Sequence, residues 1–251
     1  MTSVLIPAVL GGLGLIFGSF VAAVSVRLPR EMDVVAQRSR CMGCEATLRP
    51  WELVPVFSWL ALRGRCARCD SRISPRYPLI ELGAAALGVW AGLAAPDLAT
   101  AIAAAALGWQ LLLIALVDGE HFWLPDALTW PLAASGVLAA GLLHGWSGAG
   151  WSLFSLAVGF GVLWGVAWLY RRVRGRDGLG GGDPFLFAGA GAWVGWTGLP
   201  SVLLWACAAG LSVVFAQLMV RRRVSGSDRL PFGVFLAIGI WLTWLYGPLG
   251  L

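Results

Sequence analysis

Charged residues are scarce in this chain. They make up 12% of its 251 residues, whereas 59% of the residues are hydrophobic, and the mean hydropathy is +0.78. Because a soluble domain averages about 25% charged residues, this composition excludes an ordinary soluble protein. The long apolar runs contain glycine and proline, which transmembrane helices tolerate. We therefore predict an all-α polytopic membrane protein.

Lysine is absent, so all 18 basic residues are arginine. Ten of them lie in residues 27–76, four in residues 171–176 and four in residues 221–229. Basic residues concentrate in the cytoplasmic loops of membrane proteins, so these three segments are predicted to be cytoplasmic. The net charge of +5 then follows from topology, and we expect no nucleic-acid partner.

The sequence also lacks the marks of a removable signal peptide, because its first apolar run ends at Arg27-Leu28-Pro29-Arg30 rather than at a small-residue cleavage site. Apolar runs predict about eight transmembrane helices, most of them near the length of about 20 residues that a crossing needs. They are residues 4–26, 79–95, 99–117, 127–143, 151–170, 184–198, 200–220 and 231–247. Arginines on both sides of residues 184–220 require an even number of crossings there, so we expect a break near Gly198-Leu199-Pro200. This topology places both termini outside the cytoplasm.

Four of the five cysteines form two Cys-x-x-Cys pairs separated by 21 residues. They are Cys41, Cys44, Cys66 and Cys69. Two such pairs complete a tetrahedral site, so we predict a structural zinc ion with no open position for water. The alternatives are two disulfides or four unrelated thiols, and a reducing cytoplasmic segment disfavours disulfides. Cys207 stands alone in an apolar run and is interpreted as a small buried side chain.

Two aspartates occupy positions where membrane sequence rarely tolerates charge. Asp118 ends the third predicted span, and Asp183 begins the sixth, directly after Gly180-Gly181-Gly182. The arginine distribution puts both at the cytoplasmic face. Two adjacent carboxylates share a proton, so one can take a proton from water while the other polarises a carbonyl group. We predict this pair as catalytic, with the glycines Gly180, Gly181 and Gly182 allowing close approach of a substrate. Each aspartate alone could instead cap a helix or be solvated.

Other polar residues near the same face are interpreted differently. Asp126 in Leu124-Pro125-Asp126 is predicted to be the N-cap of the fourth span. Glu120 and His121 are interpreted as loop residues. Glu81, at the start of the second span, is interfacial, paired with an arginine such as Arg76, or part of a second site.

An ordered series of motifs runs through nearly the whole chain. It comprises Gly18-Ser19-Phe20, Arg27-Leu28-Pro29, the two cysteine pairs, Val54 to Leu60, Arg63 to Cys66, Ile73 to Glu81, Asp118 to Asp126, Gly180-Gly181-Gly182-Asp183 and Pro231-Phe232-Gly233. In these motifs the chain resembles the bacterial type IV prepilin peptidases, GxGD-type aspartic proteases of the inner membrane.

The resemblance implies cleavage of prepilins or type II secretion pseudopilins after a glycine at the cytoplasmic membrane face, with Asp118 and Asp183 as catalytic residues. It further implies methylation of the new N-terminus with S-adenosylmethionine as donor. The expected regions are a first transmembrane helix in residues 1–26, a cytoplasmic zinc-binding segment in residues 27–78 and a transmembrane peptidase domain in residues 79–251.

The chain lacks some polar residues usual in that family. Phe185 replaces a lysine two residues after the GxGD aspartate, Leu53 replaces an asparagine, and Ala22 and Ala23 stand where another asparagine is usual. No glycine-rich methyltransferase motif is visible, so no donor-binding residues are assigned. The alternatives are a peptidase without methyl transfer, and a non-catalytic zinc-containing scaffold or an ion- or proton-coupled transporter.

Overall fold

The computed structural model describes residues 2–34, 38–220 and 230–250. The arginine-rich residues 221–229 therefore lie outside the described part. Within it the chain is helical, and its only β-structure consists of two isolated bridges. The α-helices are α1 (Thr2–Arg27), α2 (Phe57–Ala61), α3 (Arg76–Ala94), α4 (Leu98–His121), α5 (Asp126–Arg174), α6 (Asp183–Val220) and α7 (Phe232–Tyr246), and the short 3-10 helices are Leu28–Arg30 and Pro50–Leu53. The all-α prediction is confirmed.

Five of the described helices, α1 and α3 to α6, are long and apolar enough to cross a membrane. Helix α7 is also apolar but has only 15 residues. Two of the five long helices far exceed the length of a single crossing, because α5 has 49 residues and α6 has 38.

A single glycine interrupts each of these two helices. Gly145 in α5 has φ 71° and ψ −166°, and Gly195 in α6 has φ 73° and ψ 165°. Such values are essentially restricted to glycine. At Gly145 the chain turns back on itself, because a Cβ on Gly148 would lie 2.6 Å from the carbonyl oxygen of Ala140. Eight residues of continuous helix would separate these positions by about 12 Å.

The break in α6 corrects the sequence prediction, which put it near Gly198-Leu199-Pro200. Pro200 lies inside the helix, and the interruption is at Gly195. A proline early in a helical segment keeps its helical φ and removes one hydrogen bond. The sharp change of direction instead needs a positive φ, which glycine supplies without strain.

The chain forms two compact units, Met1–Trp109 and Gln110–Leu251. In the first unit, α1 packs closely against α3 through glycines. A Cβ on Gly14 would lie 2.5 Å from the Ala84 carbonyl oxygen, and one on Gly18 would lie 2.6 Å from the Glu81 Cα. The indole of Trp109 donates a hydrogen bond of 2.9 Å to the same Ala84 oxygen. Small residues thus allow the helix backbones to approach each other.

In the second unit, the first part of α6 packs against both arms of α5. The Trp193 indole donates to the Leu132 carbonyl oxygen at 2.9 Å, and the Ser152 hydroxyl donates to the Ala192 carbonyl oxygen at 2.7 Å. The second part of α6 packs against α7, where a Cβ on Gly210 would lie 3.4 Å from the Phe235 ring. This packing fixes the start of α6 and the start of α7.

Candidate active site

Asp118 lies in the last turn of α4 and is 5% exposed. Its Oδ2 accepts a hydrogen bond of 3.1 Å from the backbone N–H of Val234, at the start of α7. The approach depends on Gly233, because a Cβ there would lie 2.8 Å from the same oxygen. The N-terminus of a helix carries partial positive charge, so α7 both orients and stabilises a negatively charged Asp118.

Asp183 is the first residue of α6 and is 4% exposed. A tight turn closes on it, because Gly180 N–H donates to Asp183 Oδ2 at 2.9 Å and Asp183 N–H donates to the Gly180 carbonyl oxygen at 3.2 Å. Proline follows at position 184, where a helix start tolerates it. The carboxylate is therefore held at the positive end of its own helix.

The buried Leu124 connects the surroundings of the two aspartates. A Cβ on Gly182 would lie 2.5 Å from the Leu124 Cβ, and one on Gly233 would lie 2.9 Å from the Leu124 Cδ1. The end of α4 and the starts of α6 and α7 thus bring the two predicted acids together. Buried carboxylates in such a pair can hold one proton between them.

The three predicted loop glycines have different surroundings. Gly180 supplies the N–H that binds Asp183. Gly182 packs against Leu124, whereas a Cβ on Gly181 would meet nothing within 4 Å. Close packing therefore requires glycine at position 182 but not at position 181.

The remaining acidic candidates lie outside this pair. Asp126 is exposed and is the first residue of α5, whose N-cap is Pro125, so the predicted capping position is wrong by one residue. An acid in the first turn still interacts favourably with the helix dipole. Glu120 and His121 lie in the last turn of α4 rather than in a loop, and both are exposed, with 4.0 Å between carboxylate and ring nitrogen. Cys207 is exposed on α6 rather than buried, because the packed face of that part of α6 carries its neighbour Ala206 instead.

Glu81 has a structural partner in the first unit. It is 6% exposed, and its Oε2 accepts a hydrogen bond of 2.7 Å from the Val56 N–H. Val56 has φ 61° and ψ −50°, a conformation that strains a β-branched residue. The nearby Arg76 donates to the Ser25 hydroxyl at 2.9 Å. Glu81 therefore holds a strained turn immediately before α2.

The four paired cysteines come together, with all Sγ atoms within 4.8 Å of one another. The Sγ atoms of Cys41 and Cys69 are 3.7 Å apart, close to the roughly 3.8 Å that a tetrahedral zinc site with Zn–S bonds of about 2.3 Å requires. Hydrogen bonding with Ser71 lowers the pKa of Cys41 to about 6 and holds the pKa of Cys69 below its ordinary value. This favours the thiolate form, which binds metals, at Cys41 and Cys69, whereas the pKa of Cys44 is raised to about 11. The cluster can therefore bind a metal ion.

The two cysteine pairs occupy matching turns. In the first, Cys41 N–H donates to the Ala46 carbonyl oxygen at 3.0 Å, and Arg40 forms a β-bridge with Thr47. In the second, Cys66 N–H donates to the Ser71 carbonyl oxygen at 2.9 Å, and Arg65 forms a β-bridge with Arg72. The residue after each second cysteine, Glu45 or Asp70, has a positive φ. Each turn thus presents two thiols from a fixed backbone.

Comparison with known proteins gives two family matches along the chain. The bacterial peptidase A24 N-terminal domain matches residues 13–95, and the type IV leader peptidase family matches residues 105–215. A prepilin leader peptidase/N-methyltransferase of Stutzerimonas stutzeri is 36% identical over 94% of this chain and 89% of its own length. The chain belongs to the type IV leader peptidase family. Its resemblance to the prepilin peptidases is thereby confirmed.

Other type IV leader peptidases match over similar ranges. The prepilin leader peptidase/N-methyltransferase of Burkholderia pseudomallei (strain 1026b) is 40% identical over 88% of this chain and 71% of that protein. The one from Aeromonas hydrophila is 38% identical over 86% of this chain and 73% of that protein. No solved structure matches the chain. Membership of the family, together with the five apolar helices, makes the chain an inner-membrane enzyme.

Three residues of the candidate site were not predicted from sequence as parts of it: Leu124, Gly233 and Val234. Val234 lies 116 residues from its partner Asp118. Gly233 belongs to a motif of the resemblance, but nothing in that motif indicates a contact with the aspartate. These contacts arise only when α4, α6 and α7 pack together.

Proposed function

We propose that the chain is an aspartic endopeptidase whose catalytic pair is Asp118 and Asp183. The observation that carries the proposal is the packing of Leu124, which lies against Gly182 beside Asp183 and against Gly233 beside the Asp118 carboxylate. Two buried carboxylates thus lie around one side chain. Each is oriented by a backbone N–H bond to its Oδ2. A carboxylate has two oxygens, so each side chain can be fixed through one and act through the other.

The proposed reaction is hydrolysis of one peptide bond by the pair sharing a single proton. The ionised carboxylate takes a proton from water as the water oxygen attacks the peptide carbonyl carbon. The protonated carboxylic acid gives its proton to the carbonyl oxygen. When the C–N bond breaks, the amine leaves with a proton from the first aspartate. The pair then regains its shared proton from the collapsing intermediate.

The proposed substrate is a prepilin or type II secretion pseudopilin, cut after a glycine at the cytoplasmic membrane face. The names of the relatives support the prepilin class. Both aspartates lie at ends of apolar helices, which suits a scissile bond that borders a hydrophobic segment. The loop Gly180 to Gly182 would lie against the substrate backbone, since glycine leaves the closest approach.

The proposed topology has eight crossings, with α5 and α6 each divided into two. Residues 27–78 and the catalytic loop are then cytoplasmic, and both termini are outside. The packing of Leu124, in the loop after α4, against Gly182, in the loop before α6, supports this count. If α5 crossed only once, the end of α4 and the start of α6 would lie on opposite faces of the membrane.

Conservative amide substitutions test the catalytic pair. We expect Asp118→Asn and Asp183→Asn each to reduce leader cleavage by at least about 10²–10⁴-fold, the usual contribution of general acid–base catalysis. The assay measures the mobility shift of a co-expressed prepilin. Asp126→Asn is the matched control, because Asp126 is exposed and outside the pair. Near-normal cleavage by either the Asp118→Asn or the Asp183→Asn variant would overturn the assignment.

The metal at the cysteine cluster is proposed to be structural zinc, held by Cys41, Cys44, Cys66 and Cys69. The Cys41→Ser/Cys44→Ser double variant should lose bound zinc and lower the thermal stability of the segment, as measured by elemental analysis and unfolding. Cys207→Ser should change neither. Full zinc content in the double variant would exclude the site.

We further propose that the enzyme methylates the new N-terminus with S-adenosylmethionine, as the names of its relatives suggest. Mass spectrometry of the mature pilin N-terminus should show one added methyl group only when the donor is present. An unmodified N-terminus with the donor present would show that the enzyme is a peptidase without methyltransferase activity.

A further inference from the structure

A cleft lined by three arginines lies beside the second cysteine turn. Arg63, Arg65 and Arg72 surround it together with the indole of Trp59, and its volume is about 480 Å³. The peptidase reaction uses none of these residues. The cleft therefore requires its own explanation.

The backbone around this arginine cleft is fixed. The Trp59 indole donates to the Ile73 carbonyl oxygen at 3.1 Å, and Ile73 N–H donates to the Gly64 carbonyl oxygen at 2.7 Å. Gly64 has φ 68°, and a Cβ there would lie 2.9 Å from the Trp59 ring. The tight packing of Gly64 against the Trp59 indole thus forms the cleft before any ligand binds.

Two of the three arginines of the cleft, Arg63 and Arg72, carry uncompensated positive charge. Arg65 and Arg72 face each other across a β-bridge, whereas the matching bridge of the first turn pairs Arg40 with Thr47. Like charges directly opposite each other are destabilising. Arg65 forms an ion pair of 2.5 Å with Asp70. In the described part of the chain no carboxylate lies within ion-pair distance of Arg63 or Arg72. This arrangement favours a bound anion.

The surroundings of the cleft indicate a membrane surface. Ser74 and Pro75 form part of its wall and directly precede α3, a helix able to cross the membrane. On α2, which also carries Trp59, Phe57 is 65% exposed and Leu60 is 59% exposed. Exposed apolar side chains next to arginines, at the end of a spanning helix, match the boundary between acyl chains and headgroups.

We propose that the arginine cleft binds the phosphate of an anionic phospholipid headgroup. The planar guanidinium groups of Arg63 and Arg72 match phosphate oxygens with paired N–H donors. Phe57 and Leu60 would face the acyl region. The cleft is thereby a lipid site that seats the metal-binding segment on the membrane, and it does not depend on the proposed peptidase activity.

Native mass spectrometry of the purified full-length protein tests this site. The protein is equilibrated with equal amounts of phosphatidylglycerol and phosphatidylcholine, and the ratio of bound lipids is measured. The test variant is Arg63→Gln/Arg72→Gln. The matched control is Arg40→Gln/Arg68→Gln, which removes the same charge from exposed positions of the same segment outside the cleft. Metal content and melting temperature establish that each variant is folded.

We expect wild type and control to prefer phosphatidylglycerol equally, and the test variant to lose about 30-fold of that preference, since each arginine near an anionic surface contributes about fivefold. If the double variant does not fold, Arg63→Gln alone should lose about fivefold. An unchanged ratio in the test variants, or an equal loss in the control, overturns the proposal. So does a result in which inorganic phosphate binds with the same arginine dependence while neither lipid is preferred.

Discussion

Two neighbouring glycines before Asp183, Gly181 and Gly182, differ in the space available for a side chain. A Cβ at Gly182 would lie 2.5 Å from the Leu124 Cβ and 2.7 Å from its carbonyl oxygen, whereas a Cβ at Gly181 would meet nothing within 4 Å. We expect Gly182→Ala to reduce prepilin cleavage by about 100-fold, because a displacement of about 1 Å in catalytic groups has that effect. Gly181→Ala, with a similar melting temperature, is the control. Equal activity of the two variants would show that the loop is not held by Leu124.

A loss of activity in Gly181→Ala would carry separate information. The protein itself leaves room for a methyl group at that position. A lowered rate with unchanged stability would therefore place the substrate backbone against Gly181.

The two aspartates could be found from sequence because charge is costly next to an apolar helix. Their positions at span ends, combined with the arginine pattern, predict that both lie at one face. The contact between Asp118 and Val234 could not be found this way. This contact joins residues far apart in the chain. The only feature of the sequence that accompanies it is a glycine, Gly233, and glycine occurs at many other positions.

The interruptions of α5 and α6 allow the contribution of one glycine conformation to the stability of the protein to be measured. Gly195 lies at φ 73° and ψ 165°, so we expect Gly195→Ala to lower the free energy of unfolding by about 1–3 kcal/mol. Gly165→Ala is the matched control, because Gly165 is helical with nothing within 4 Å of its Cβ position. It should stabilise the helix by about 0.5–1 kcal/mol. Thermal unfolding in detergent measures both.

The same positions explain which element boundaries the sequence could predict. The gap between the predicted spans 127–143 and 151–170 contains Gly145, so that interruption was located. The next one was placed near Pro200 because proline is the stronger breaker on average. The break lies at Gly195 because the backbone there adopts a conformation that glycine reaches without strain. The N–H of the next residue, Trp196, donates a hydrogen bond of 3.0 Å to the Ser155 hydroxyl. That hydroxyl is supplied by another helix, which local sequence does not reveal.

The number of crossings determines whether the enzyme can have one active site. With eight crossings, residues 175–182 lie on the same side as residues 28–75, and Gly145 lies on the opposite side. With six, in which α5 and α6 cross once each, residues 175–182 would move to the outside and Asp183 would be separated from Asp118 by the bilayer. The packing of Leu124 against Gly182 supports the proposed first arrangement over the second, because it joins the loop after α4 to the loop before α6.

Single cysteines introduced at exposed positions can distinguish these arrangements. In a Cys207→Ser background, Ser147→Cys should react with a membrane-impermeant maleimide in spheroplasts, because Ser147 is exposed next to the Gly145 turn. Asp177→Cys should react only after the membrane is permeabilised, since Asp177 is exposed in the loop before Asp183. The unmodified Cys207→Ser protein controls for labelling of the cysteine cluster. Labelling of Asp177→Cys in sealed spheroplasts would exclude a cytoplasmic catalytic loop, and with it cleavage of the leader at that face.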